Sequence, residues 1–204
     1  MPTAYIGLGA NLPGPAGQPE ATLAAAAKKL AKLGRLRARS SLYSTAPVGF
    51  AEQPRFLNAV IALDTGLAPR ALLEALLEIE RTLGRDRSAG VENGPRTLDL
   101  DILLYGDLVL SEHGLAIPHP RMAARAFVLA PLNEIAPQVR DPRTGETVAK
   151  LFERVNREGA SKDVPDAVVH VESERWRADA GRAGGSAGGH VRAGTDPDPD
   201  RDHG

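Results

Sequence analysis

Between Leu98 and Ile102 the chain alternates apolar and acidic residues, Leu98-Asp99-Leu100-Asp101-Ile102. In a β-strand successive side chains point to opposite faces. Leu98, Leu100 and Ile102 then share one face, and Asp99 and Asp101 share the other. The pattern predicts a strand over 97–105, greasy toward a core and acidic on its reverse. Two residues of strand rise set the carboxylates about 7 Å apart at the backbone, within reach of one shared cation or a bracketed pair. Aspartate is disfavoured in strands, and two on one face repel. A hard cation offsets that cost: magnesium takes one or two carboxylates and completes its shell with water and phosphate oxygens. A solvated strand face accounts for the same alternation, and both readings stand at this point.

Around this strand the chain reads as alternating strands and helices. Residues 3–8 form a short apolar strand, and Gly7, Gly9, Asn11, Pro13 and Gly14 mark a loop after it. Leu23, Ala27, Leu30 and Leu33 give helical spacing from Glu20 to Leu33, with Gly34 as a stop. Residues 35–46 and 56–64 are strand-like, joined by a loop from Pro47 to Pro54. Leu72, Leu76, Ile79 and Leu83 predict a second helix from Pro69 to Gly84. After the acidic strand come a short hairpin, short helices near 121–126 and 131–136, and a last helix over 147–157. The β-α-β-β-α-β order points to an α+β ferredoxin-like sandwich, a mostly antiparallel sheet with helices on one face.

Residues 1–159 are expected to be the catalytic domain and 160–177 an extension, in which 164–171 suit a short strand and Trp176 an anchor. Residues 178–204 are glycine-rich, include the proline-broken acidic run Asp196-Pro197-Asp198-Pro199-Asp200 and read as a disordered tail. Composition narrows the function classes. Net charge is −1 over 204 residues, so nucleic acid and anionic membrane are not expected partners. No apolar run approaches the span of a bilayer, at about 20 residues. There is no cysteine, which removes thiolate metal sites and thiol nucleophiles and suits the cytoplasm.

Arg85, Arg87 and Arg96 lie just before the acidic strand. Guanidinium forks suit phosphate oxygens, and their position beside paired carboxylates suits polyphosphate chemistry. Solvated surface charge, partly offset by Asp86 and Glu92, is the plainer reading. Glu80 sits on the shoulder of the second helix's apolar stripe, near a C-terminus that disfavours negative charge. His119 lies in the proline-flanked turn Ile117-Pro118-His119-Pro120-Arg121, without the spacing of a zinc site. Neither a G-x-G-x-x-G nor a P-loop is present, so any ATP site is built otherwise.

Five blocks carry a resemblance: Tyr5 to Leu12, Tyr43 to Gly49, Gln53 to Val60, Gly94 to Tyr105, and Ile117 to Pro131. Through them residues 4–157 resemble the 6-hydroxymethyl-7,8-dihydropterin pyrophosphokinases. The resemblance implies a ferredoxin-like monomer that binds ATP with two Mg2+ ions. It implies attack of the hydroxymethyl oxygen of a reduced pterin on the β-phosphorus, with AMP leaving, in folate synthesis. By the same resemblance Asp99 and Asp101 are metal ligands, and Arg85, Arg96 and His119 contact phosphate. Arg87 and Arg125 belong to a mobile, site-closing region. Thr45, Val48, Phe56, Asn58 and Phe127 form the pterin pocket, with Asn58 hydrogen-bonding the pterin edge. Glu80 orients an arginine or a base contact, and Ile102 with neighbouring backbone meets adenine. Asn93 stands where some members carry a lid tryptophan, Phe56 replaces a frequent tyrosine, and Ala10 replaces a common serine. Competing readings are a non-catalytic nucleotide-binding module, an RNA-binding module and a phosphohydrolase using the same carboxylates.

Overall fold

The computed structural model describes residues 1–47, 52–86, 94–160 and 168–178. Along them run β1 (Thr3–Ala10), α1 (Pro19–Leu30), β2 (Arg35–Arg39), β3 (Leu42–Thr45), β4 (Phe56–Asp64), α2 (Pro69–Thr82) and β5 (Asp99–Tyr105). A hairpin of β6 (Leu110–Glu112) and β7 (Leu115–Ile117) follows, then a 3-10 turn at Met122–Ala124. The chain continues as α3 (Ala126–Ile135), α4 (Val148–Ala160), β8 (Val169–Val171) and α5 (Glu174–Ala178). The main sheet has the order β5-β1-β4-β3-β8, and β2 also pairs with β4. All of its described pairings are antiparallel. This is the ferredoxin-like α+β sandwich expected from the order of elements.

Period-two burial builds the first layer. Ala4, Ile6, Leu8 and Ala10 of β1 and Leu100 and Ile102 of β5 pack with Leu23, Leu30, Leu72 and Leu76 of α1 and α2. The four leucines are fully buried, each stabilising by about 2 kcal/mol before entropy is counted. Pro19 and Pro69 open the two helices at a position where no backbone donor is lost. Just past the end of α2 lies Gly84, whose φ of 90° favours a residue without a Cβ. An added Cβ there would lie 2.5 Å from Pro15 Cδ, so the close approach sets the direction in which Arg85 leaves the helix.

Among the described residues, the second face of the sheet is only half covered. Tyr5, Val60, Leu103 and Leu104 pack with Leu129, Leu132, Val148 and Leu151 of α3 and α4. Helices therefore lie on both faces, which corrects the one-faced arrangement read from the order of elements. The apolar stripes of α3 and α4 need a surface, and the α1–α2 face is already filled.

Other boundaries also shift. β1 runs through Gly7 and Gly9 to Ala10, because both glycines pair with β4 and β5 at once. The strand expected over 35–46 divides at Ser40, whose Oγ accepts from the Val60 backbone N–H. The two short helices expected near 121–126 and 131–136 are instead one 3-10 turn and one helix with Pro131 inside it. Burial of Leu129, Ala130 and Leu132 holds that helix together across the proline. Within 160–177, the chain adds β8 to the sheet and buries Trp176, while residues 161–167 and 179–204 lie outside the described residues.

Candidate active site

The uncovered half of the second sheet face is a cleft of about 270 Å³. Its floor follows from the register. Gly9 of β1 stands between Asn58 of β4 and Asp99 of β5, and Gly7 between Val60 and Asp101. Glycine at both positions leaves a trough: a Cβ on Gly9 would come 3.2 Å from Asn58 Oδ1, and one on Gly7 3.3 Å from Leu103 Cδ2. Asp99 and Asp101 form one bank; Phe56 and Asn58 on β4, with Thr45 at the end of β3, form the other.

The two aspartates share a face, as the alternation predicts, but their environments differ. Both oxygens of Asp99 are engaged: Oδ1 by Arg85 Nη1, and Oδ2 by Arg96 Nη1 at 2.6 Å. Arg85 Nη1 also donates to Glu80 Oε1 at 3.0 Å and to the Leu98 carbonyl at 2.9 Å. Burial works against the Arg85 cation, yet Asp99 and Glu80 outweigh it and hold its pKa above the usual value. Glu80 is buried, and Oε1 accepts the Leu100 backbone N–H at 2.8 Å. It therefore ties α2 to β5 and orients Arg85.

Asp101 is the open carboxylate, its side chain 44% exposed. Its nearest ionic partner among the described residues is His119 Nε2, at 3.9 Å. Surrounding protein and the Asp99 charge push its pKa up, against the pull of His119, Arg125 and Arg85. His119 Nδ1 accepts from the Arg121 backbone N–H at 3.2 Å, so the neutral ring carries its proton on Nε2, toward Asp101. Burial lowers the His119 pKa, helped by Arg125 and Arg121 and opposed by Asp101.

The aromatic rings each lie near a guanidinium. Arg96 Cζ is 5.6 Å from the Phe56 ring centroid and Arg125 Cζ 5.4 Å from that of Phe127. Asn58 Nδ2 donates to Thr45 Oγ1 at 2.8 Å, which joins β3 to β4 at the cleft. Arg85, Arg96, Asp99, Asp101, His119, Arg125, Thr45, Phe56, Asn58 and Phe127 therefore come together around one cavity. Ile102 does not join them. Its side chain is in the core toward α1 and α2, so any ligand contact at that position falls to backbone. Val48, Arg87 and Asn93 lie outside the described residues.

Sequence reasoning missed Gly7 and Gly9 as the floor, although their alternation with Ile6 and Leu8 carries the signal. It also missed Arg121, a lining residue, and Asn11. Asn11 Nδ2 donates to Gln53 Oε1 and to the Pro54 carbonyl, and Oδ1 accepts the Arg96 backbone N–H. No local pattern marks such a tie between distant loops.

A ferredoxin-like sheet with paired carboxylates and converging arginines in one cleft suits the class of proteins that handle phosphoryl groups. A sequence profile of 7,8-dihydro-6-hydroxymethylpterin-pyrophosphokinase (HPPK) matches residues 5–137. The 2-amino-4-hydroxy-6-hydroxymethyldihydropteridine pyrophosphokinase of Pseudomonas aeruginosa is 51% identical over 138 residues, 68% of this chain and 83% of that protein. The Bacillus subtilis protein of the same name is 41% identical over 172 residues, 83% of this chain and 98% of that one. The crystal structure of wild-type Plasmodium falciparum HPPK-DHPS superposes with a TM-score of 0.62 at 14% identity, covering 83% of this chain and 50% of that one. That likeness concerns the fold alone, and this chain spans half of the larger one. The chain belongs to the HPPK family.

Proposed function

We infer that the glycine-floored cleft is where this chain moves a pyrophosphoryl group from ATP to the hydroxymethyl oxygen of 6-hydroxymethyl-7,8-dihydropterin, releasing AMP. As a family member the chain is an ATP-dependent diphosphotransferase of folate biosynthesis. The observation that carries the site assignment is the register: carboxylates on β5 face Asn58 and Phe56 on β4 across two glycines. Phosphate chemistry and recognition of a flat heterocycle thus meet over one trough.

On the pterin bank, the Asn58 amide offers donor and acceptor to the pterin edge, with Thr45 Oγ1 fixing its orientation. Phe56 and Phe127 supply flat faces for the ring. Val48 completes this pocket by family resemblance, as Arg87 completes the closing arginines.

On the phosphate bank, Asp99 and Asp101 are the residues that hold divalent magnesium, two ions in this reading. Their hard oxygens on one strand face fit that donor set. The metal supplies charge neutralisation and a lowered pKa for the attacking hydroxyl. In this structure Arg85 and Arg96 saturate the oxygens of Asp99. A polyphosphate entering the cleft competes for the same guanidiniums and so releases Asp99 as it binds. Arg125 and His119 close the far side, where neutral His119 donates from Nε2 to a phosphate oxygen. Positioning and charge compensation, rather than a covalent intermediate, make up the catalysis. The chain acts as a monomer in the cytoplasm in this reading. Its lack of cysteine suits a reducing compartment. No described helix is long and apolar enough to cross a membrane.

Incubation with ATP, magnesium and the reduced pterin is expected to yield AMP and pterin diphosphate in equal amounts by mass analysis. AMP or ADP release that does not depend on pterin would point to the phosphohydrolase instead. Gly9→Ala tests the trough. The new Cβ, 3.2 Å from Asn58 Oδ1, must displace that amide, and the KM for pterin is expected to rise about fivefold with kcat little changed. An unchanged KM would mean the pterin does not lie over Gly9.

A further inference from the structure

We propose that residues 168–178 form a positioning segment for the pterin bank of the cleft, with Trp176 as its lock. The proposal rests on the reading that Thr45 and Asn58 hold the pterin. The profile match ends at residue 137, short of this segment. β3 is four residues long and has β4 on one side only; β8 supplies the other side, pairing Leu42 with Val171, Tyr43 with His170 and Ser44 with Val169. Thr45 is the next residue, and it is the one that accepts from Asn58.

Trp176 secures the other end of β3. It is 3% exposed, and its indole Nε1 donates to the Ser40 carbonyl at 2.7 Å. Ser40 is the joint at which the chain passes from β2 to β3, and its Oγ accepts from Val60 N at 2.9 Å. Arg39 Cζ lies 4.1 Å from the Trp176 ring centroid. The segment is itself moored to α1: Ser173 Oγ donates to Glu20 and accepts the Trp176 backbone N–H at 2.9 Å.

Without β8, β3 is an edge strand held by β4 and by Glu134 of α3, which accepts from Ser41 and Tyr43 at its start; its Thr45 end lies beyond the Glu134 ties and opens more readily. Each frayed molecule has Thr45 out of place. Apparent affinity then falls by the fraction of molecules still competent to bind. The described contacts of the segment are with β3, the β2–β3 joint and α1, whereas Asp99 and Asp101 of the phosphate bank stand on β5. Loss of the lock should therefore weaken pterin binding selectively.

The test uses the full chain. Trp176→Ala is expected to raise the KM for pterin about tenfold, while kcat and the KM for ATP stay within about twofold. Trp176→Phe keeps an aromatic ring in the site but loses the N–H donor and part of the buried surface, so it should recover only part of the loss. Ser173→Ala loosens the mooring and keeps the tryptophan. Trp176 is the single tryptophan of the chain, so its fluorescence reports docking of the segment directly. Ser173→Ala should shift that emission to the red together with a rise in pterin KM of about threefold. Asn58→Ala is measured alongside. If it raises the pterin KM and neither Trp176→Ala nor Ser173→Ala does, the positioning role is overturned and the pocket reading stands. If Asn58→Ala leaves that KM unchanged, the pocket reading falls. Equal changes in both KM values, or a loss confined to kcat, would also overturn the positioning role. Should Trp176→Ala fail to fold, Trp176→Phe and Ser173→Ala decide the matter by the same criteria.

Discussion

Asp101→Ala is expected to lower kcat about a thousandfold while the chain stays folded. The two halves of that expectation have separate causes. Asp101 is 44% exposed in the cleft, and its closest ionic partner among the described residues is His119 at 3.9 Å, so its removal leaves no buried charge stranded. The strand keeps its core face, because Leu100 and Ile102 point the other way. Relief of the repulsion from Asp99 should even favour folding slightly. Turnover suffers because Asp101 is the carboxylate not already saturated by arginine, and the proposed metal depends on it. Steady-state rates at saturating magnesium, with a thermal melt of the same sample, provide the check. A near-normal rate would remove Asp101 from the metal site.

Glu80→Ala should act on stability first, lowering it by about 3 kcal/mol, as expected when one partner of a buried ion pair is lost. Glu80 is 1% exposed and accepts from both Arg85 and the Leu100 backbone N–H. Without it the Leu100 N–H loses this acceptor, and Arg85 keeps Asp99 but loses its support from the Glu80 carboxylate. Glu80→Gln retains an acceptor and should cost less, about 1 kcal/mol. Urea titration of both variants measures this. A loss below about 1 kcal/mol for the alanine variant would show that water replaces the carboxylate, contrary to its burial. Turnover should fall too, since Arg85 would be held at the cleft by Asp99 and the Leu98 carbonyl alone.

The acidic strand was legible because its information is local. Leu98 to Ile102 state two faces in five residues, and the fold keeps them. The helical stripe of Leu72, Leu76 and Ile79 was legible for the same reason. β1 was less so. Glycine weakens a strand in isolation, so Gly7 and Gly9 read as loop; only pairing on both sides holds them extended. Glu80 appeared as an ill-placed charge, and its partners emerge when β5 passes beside α2.

The short-range alternation and helical periods of this chain set which side chains share a face, because side-chain direction follows from backbone geometry within a few residues. Contacts between distant residues required the folded molecule: Gly9 between Asn58 and Asp99, Asn11 reaching Gln53 and Arg96, and Ser173 meeting Glu20 across the chain. Such contacts depend on which surfaces remain uncovered after the first core forms. That is why the half-open second face, and with it the cleft, appears only when the whole sheet is assembled.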